Sequence, residues 1–216
     1  MEHEAKGLGI VIRTENARES DRVCTIFSPS LGLIRAMSYG ARKSVKSIKA
    51  PLYTEGTFSL EKSIRSGRWS IRDIDVIATH GYLSEDLDRN MAAALFSDLV
   101  ITSRTADSSL YKLYTDAIDL LEDVDVEKVA IAFIVHFLSE EGMSGDYISC
   151  PVCQRPYRDD EILGFSSIEG VPVCSECDTM GSSLILPPNA RRYVRRTLEL
   201  DMDNAVLLSV SDLQRH

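Results

Sequence analysis

Long hydrophobic runs are missing from this chain of 216 residues. The longest strongly apolar stretch, Val129-Ala-Ile-Ala-Phe-Ile-Val135, falls far short of the roughly 20 residues that span a bilayer, so no membrane role is expected. The opening Met-Glu-His-Glu-Ala-Lys lacks the basic-then-apolar order of a secretory signal, and a cytoplasmic location is expected. There is no Gly-x-x-x-x-Gly-Lys-Ser/Thr loop to hold a nucleoside triphosphate, no fixed-period repeat and no low-complexity tract. Histidine is scarce. His3 and His216 lie at the chain ends, His80 follows a strand-like run, and His136 sits inside an apolar helical pattern, where it reads as a core residue. They form no carboxylate–histidine constellation of the kind that carries hydrolysis.

Cysteine is where the chain is rich in chemistry. Four of its five cysteines stand as two CxxC pairs, Cys150-Pro-Val-Cys153 and Cys174-Ser-Glu-Cys177. A CxxC turn aims two thiolates at one point, and Zn²⁺ is satisfied by four soft ligands at about 2.3 Å. Disulfides would need an oxidising compartment that nothing in the chain suggests. The spacing therefore predicts one structural Zn²⁺ per chain, held by Cys150, Cys153, Cys174 and Cys177. Four thiolates leave no open position for water or substrate, so the site is expected to be structural and not catalytic. The segment is too short to bury much of a core, and metal binding is expected to supply its folding free energy, about 10 to 16 kcal/mol in isolated zinc modules. Cys24, in Arg22-Val-Cys-Thr-Ile-Phe27, alternates like a buried strand residue and reads as a small core side chain.

The net charge is −9, but it is unevenly spread. Residues 1–80 carry 13 Lys+Arg against 9 Asp+Glu, whereas residues 81–216 carry 11 against 24. From Arg35 to Arg72, nine basic residues face Glu55 and Glu61 alone. An acidic protein thus has one basic face, with Tyr39, Gly40, Arg42, Lys43, Lys46, Lys49 and Tyr53 close together. Cations that neutralise phosphates, together with exposed rings on which bases stack, are what sequence-independent nucleic-acid binding needs. Trp69 and Phe58 read equally well as core.

The first eighty residues read as five short strands, at Gly7–Thr14, Val23–Phe27, Leu33–Tyr39, Thr54–Glu61 and Trp69–Ala78. Five strands in so short a segment predict a small barrel, and the OB-fold is the commonest of that size. From Ser84, a plausible N-cap, the period changes to that of a helix: Leu87, Met91, Leu95 and Leu99 recur every four residues. Asp107 or Ser108 caps a second helix, and Asp125 starts a third that ends near Gly142. Beyond the cysteines, Asn189 can cap a helix bearing Arg191, Arg192, Arg195 and Arg196. These arginines read as a solvated face beside Glu199 and Asp201, with a second phosphate contact as the sharper alternative. The fold class is α+β: an OB-fold barrel at 1–80, then a helical domain at 81–216 with a zinc-binding insertion at about 146–180.

The run Arg18-Glu-Ser-Asp-Arg-Val-Cys-Thr-Ile-Phe27, followed by Leu31-Gly-Leu-Ile-Arg-Ala-Met-Ser-Tyr-Gly-Ala-Arg-Lys43, resembles the start of the RecO family of bacterial DNA repair and recombination mediators. The resemblance covers most of the chain in order: barrel, helices, and paired CxxC motifs between helices. It implies a non-enzymatic protein that binds single- and double-stranded DNA and anneals complementary strands. It also implies action with RecR to load RecA onto DNA coated by single-strand-binding protein (SSB), in the cytoplasm at the nucleoid. On that resemblance the DNA contacts are Arg42 and Lys43 in the family's basic motif, with Lys46 and Lys49 following and Arg35 on the preceding strand. Ser20 and Asp21 read as turn-forming. Val45 departs from the family's usual Lys-Ser-Arg, and Lys46 is expected to replace that contact. The chain ends soon after Leu213, where many relatives continue into further helix, so the SSB contact is the less secure of the partner expectations. The alternatives are a zinc-containing protein-interaction scaffold and an RNA-binding OB-fold protein.

Overall fold

A computed structural model describes residues 3–17, 19–41, 50–103, 106–166, 170–178, 181 and 184–209. The chain forms two compact units, Met1–Val126 and Glu127–His216.

The first unit begins with β1 (Glu4–Asn16), β2 (Arg22–Ser28), β3 (Gly32–Ser38), β4 (Thr54–Lys62) and β5 (Trp69–Thr79). They close into a barrel in the order β1-β2-β3-β5-β4. β1 is longer than its alternating stretch suggests because it serves two partners: Glu4–Ile10 pairs with β4 and Ile10–Asn16 with β2. A bulge between Val11 and Arg13 bends the strand between them. Alternation is clearest in β4, where Thr54, Gly56, Phe58 and Leu60 point inward. The core they enter holds Val11, Cys24, Ile26, Ile34, Ala36, Phe58, Leu60 and Ile71. Each large aliphatic or aromatic side chain buried there is worth about 1.5–3 kcal/mol. Gly9 and Gly56 pair across β1 and β4. A Cβ on Gly56 would stand 2.5 Å from the Asp75 carbonyl oxygen, and one on Gly9 would stand 2.7 Å from Ile26 Cγ2. The tight curl of this small barrel is possible because both side chains are missing.

α1 (Leu87–Thr102) and α2 (Ser108–Leu120) belong to the same compact unit. The Phe27 ring meets Tyr111 and Tyr114 edge-on at 5.3 and 6.1 Å, and Tyr111 donates to Glu55 at 2.9 Å. His80 joins the barrel to α2, its ring nitrogens 2.7 Å from the Tyr53 carbonyl and 2.9 Å from Asp119. The α1 cap is Asp86, which accepts from the Arg89 amide, and not Ser84. The stripe expected to seat α1 is also displaced: Leu87, Met91 and Leu95 are exposed, while Ala92, Ala93, Phe96, Ser97 and Val100 are buried. Small residues let the helix approach closely, and Ser97 is satisfied by the Ala93 carbonyl and Tyr114 hydroxyl. Asp107 caps α2 by accepting from the amides of Ser109 and Leu110.

α3 (Val126–Glu140) opens the second unit, with Val129, Ala132, Phe133 and Phe137 buried. His136 is half-buried, and its Nε2 has no hydrogen-bond partner among the described residues. A small sheet of β6 (Leu163–Phe165), β7 (Pro172–Val173) and β8 (Ile185–Leu186) follows in the order β7-β6-β8. α4 (Pro188–Leu198) starts on a Pro187-Pro188 entry, so Asn189 lies in its first turn and is not its cap. α5 (Met202–Ala205) is capped by Asp201. Among the described residues no helix is long and apolar enough to cross a membrane.

Candidate metal centre and nucleic-acid face

Two tight turns build the metal centre. In the first, Gln154 N–H donates to the Cys150 carbonyl at 2.8 Å and Cys150 N–H to the Arg155 carbonyl at 2.9 Å, with Gln154 at φ +61. In the second, the amides of Cys177 and Asp178 both donate to the Cys174 carbonyl at 3.0 Å. The sulfurs of Cys150, Cys153, Cys174 and Cys177 all lie within 4.8 Å of one another. Cys153 Sγ and Cys174 Sγ are 3.8 Å apart, about the edge of a tetrahedron with 2.3 Å metal–sulfur bonds. Cys150 and Cys174 are fully buried, and Val173 and Tyr157 pack around them.

The chemistry of the four sulfurs fits a cation. Burial acts against a Cys150 thiolate, but backbone N–H groups of Cys174, Cys153 and Val152 outweigh it and bring its pKa down to about 6. Cys177 is pushed up to about 12, chiefly by hydrogen bonding to Cys174 and Cys153. A soft divalent cation held here would be bound by the four sulfurs as thiolates, and its binding would release the thiol protons that remain.

Sequence reasoning missed the residue that ties the two turns together. Glu161, 8% exposed, accepts from Arg155 Nη1 at 3.0 Å and Nη2 at 2.8 Å. It also accepts from Arg158 N–H at 3.1 Å, Ser175 N–H at 3.2 Å and Ser175 Oγ at 2.9 Å. Arg155 belongs to the first cysteine turn and Ser175 to the second. Hydrogen bonds from Arg155, opposed by burial, hold the Glu161 carboxyl well below the usual carboxylate range. Arg191 supports the module from α4. It is 6% exposed, it donates to the Arg158 carbonyl at 2.7 Å, and it lies over the Tyr157 ring at 5.5 Å. Arg191 is therefore not part of a solvated face, whereas Arg195 and Arg196 both pair with Glu199.

On the barrel, Arg35 points outward from β3 and pairs with Glu15 at 2.8 Å. Arg42, Lys43, Lys46 and Lys49 lie outside the described residues. The turn leading to them is anchored by Asp21, 7% exposed, which accepts from Gly40 N–H at 2.9 Å and from Ser20 Oγ at 3.2 Å. Gly40, at φ +68, supplies the left-handed residue the turn requires. Ser20 and Asp21 thus shape the backbone. Phe58 is core, but Trp69 is half-buried and borders an open cavity of about 340 Å³ with Val23, Arg35, Ala36, Met37 and Arg68. Cys24 is fully buried, and desolvation, against the pull of Arg22, raises its pKa to about 11, as suits a core thiol.

A family model described as "Recombination protein O N terminal" matches residues 1–78, and one described as "Recombination protein O C terminal" matches residues 84–215. The chain is similar to a DNA repair protein RecO of Desulfitobacterium hafniense (strain DSM 10664 / DCB-2), 28% identical over 179 residues, 81% of this chain and 64% of that protein. It is also similar to the DNA repair protein RecO of Clostridium novyi (strain NT), 23% identical over 214 residues, 96% of this chain and 82% of that one. That of Bacillus cereus (strain AH187) is 27% identical over 175 residues, 77% and 68% of the two chains. The alignment thus spans under two thirds of the Desulfitobacterium relative's length. With both family models matched in order, on a closed five-stranded barrel followed by helices and a four-cysteine cluster, the chain belongs to the RecO family of DNA repair proteins.

Proposed function

We propose that this chain is a non-enzymatic mediator of DNA repair and recombination. It binds single- and double-stranded DNA, anneals complementary strands and, with RecR, helps load RecA onto SSB-coated single strands, working in the cytoplasm at the nucleoid. The observation that carries this reading is the match of both RecO family models, in order, to a chain whose N-terminal part is a closed five-stranded barrel. Residues 1–80 act as the DNA-binding domain through Arg35, Arg42, Lys43, Lys46 and Lys49. Residues 81–216 form the helical domain with its inserted metal module. Zn²⁺ is the ion that best suits four cysteine sulfurs at these separations. Cys150, Cys153, Cys174 and Cys177 would hold it, and its binding would contribute folding free energy to the module. The protein's own part is to preset the sulfurs through the amides around Cys150 and the Glu161 bridge.

Fluorescence anisotropy of a labelled single strand over a salt series tests the reading. If about four to six phosphates are contacted, the log–log slope is roughly −3 to −4. The triple variant Arg42→Glu, Lys43→Glu, Lys46→Glu loses both affinity and slope. A folded, zinc-loaded protein that fails to bind at low salt overturns the proposal.

A further inference from the structure

Trp69 is the single tryptophan of the chain, and its backbone is held on both sides. It pairs in parallel with Ala36 of β3 and antiparallel with Lys62 of β4, at the place where the barrel closes. Part of the indole packs on the barrel core. The remainder borders the cavity of about 340 Å³, large enough for a small flat ligand.

The lining has a definite chemistry. Val23 and Met37 are register partners across β2 and β3 and give an apolar floor. The indole gives a flat wall. Two guanidinium groups, Arg35 and Arg68, stand among the lining residues, and among the described residues no carboxylate does. Glu15 is paired with Arg35, but both side chains are well exposed, at 65% and 47% for Arg35 and Glu15. Pairs of this kind hold weakly and yield to a competing anion. Lys62 Nζ stands 5.4 Å from the indole centroid, so a π-face of Trp69 is within reach of a group carried on a flexible arm. A ligand that suits this arrangement is flat, presents a π-face to the indole, and carries negative charge on either side of the flat part.

We propose that the cavity beside Trp69 is a stacking subsite for one unpaired nucleobase of a single strand, with Arg35 and Arg68 taking the flanking phosphates. The inference rests on the DNA-binding reading above and adds to it a preference: a base stacked within a duplex has no free face to offer, so the subsite responds to single strands. Stacking of this kind tolerates any base because every base has a π-face.

The single tryptophan makes the test direct. Oligothymidylate is titrated into the wild-type protein while Trp69 emission and the anisotropy of a labelled strand are followed in parallel. The titration is then repeated with a strand of the same length whose central nucleotides are abasic. The expected result is rising anisotropy with falling emission, and about tenfold weaker binding of the abasic strand, which corresponds to roughly 1.4 kcal/mol for the lost stacking. Trp69→Phe, which keeps a ring, retains affinity, and Trp69→Ala loses about as much as the abasic strand. Anisotropy that rises with unchanged emission and equal affinity for the abasic strand overturns the subsite and leaves phosphate-driven DNA binding standing. An emission change that the abasic strand reproduces in full also overturns it. Absence of both signals from folded protein overturns the subsite together with the reading on which it rests.

Discussion

Glu161→Gln leaves the size of the side chain almost unchanged and removes its charge. The carboxylate meets donors on both oxygens: Arg155 Nη1 and Arg158 N–H at Oε2, and Arg155 Nη2, Ser175 N–H and Ser175 Oγ at Oε1. Whichever way the amide turns, its NH₂ faces donors that cannot reverse, apart from the Ser175 hydroxyl. The neighbouring Glu176 lies 3.8 Å from Arg155 and recovers part of the lost pairing. Because Glu161 touches Arg155 of one cysteine turn and Ser175 of the other, the loss falls on the positioning of the sulfurs. Changes to groups that orient metal ligands cost about 10- to 100-fold in metal affinity, or roughly 1.4 to 2.8 kcal/mol, and Glu176 places the expectation in the lower half. The Glu161 carboxyl is held below its ordinary range by Arg155. Its contribution is therefore complete above the unfolded value of about 4.3 and is lost only as the pH falls below that, so the full effect is present at neutral pH. Competition for zinc with a chromophoric chelator measures it. An affinity within about twofold of wild type, while Cys153→Ser loses binding outright, would refute the idea that Glu161 sets the site.

Two further outcomes follow from the same geometry. Thiol-reactive dye added to the zinc-loaded protein is expected to label slowly. After chelation Cys150, Cys153, Cys174 and Cys177 react, while Cys24, buried and raised to about 11, waits for unfolding; rapid labelling of Cys24 in folded protein would contradict its core position. Burial lowers the His136 pKa, against the pull of Glu140 and Asp201, so the fold favours the neutral ring. That preference is fully present above the unfolded value of about 6.5 and is lost as pH falls through the lowered one. The stability difference between wild type and His136→Leu should therefore shift in favour of Leu as pH falls from 7 to 5; chemical denaturation that shows a constant difference would exclude it.

The five strands were legible as runs of β-forming residues between turn signals, with alternation plain in β4, and the cysteine spacing was legible because ligand geometry is local. What failed did so for tertiary reasons. A four-residue apolar repeat marked α1 as a helix but not which side is buried, and the close approach allowed by Ala92, Ala93 and Ser97 put Leu87, Met91 and Leu95 outside. Glu161 follows Asp159 and Asp160 in a run that reads as solvated charge. Only closure of the second cysteine turn onto the first selects which of the three acids is enclosed. Arg191 was hidden among four similar arginines for the same reason: position on α4 shows its face, but the carbonyls of Arg158 and Asp159 decide its partner.

The barrel's strands are not joined equally. β4 and β5 run together from Thr54–Thr79 to Lys62–Trp69, whereas the parallel join of β3 to β5 pairs Ala36 with Trp69 and Met37 with Ser70 among the described residues. Local opening begins where few backbone bonds must break together, so this seam is expected to open first, its amides exchanging with solvent before those of the β4–β5 ladder. The cavity at Trp69 straddles that seam, with lining residues from β2, β3 and the start of β5. Whatever occupies it acts as a rivet across the loosest joint, and occupancy is felt as slower exchange around the whole closed ring.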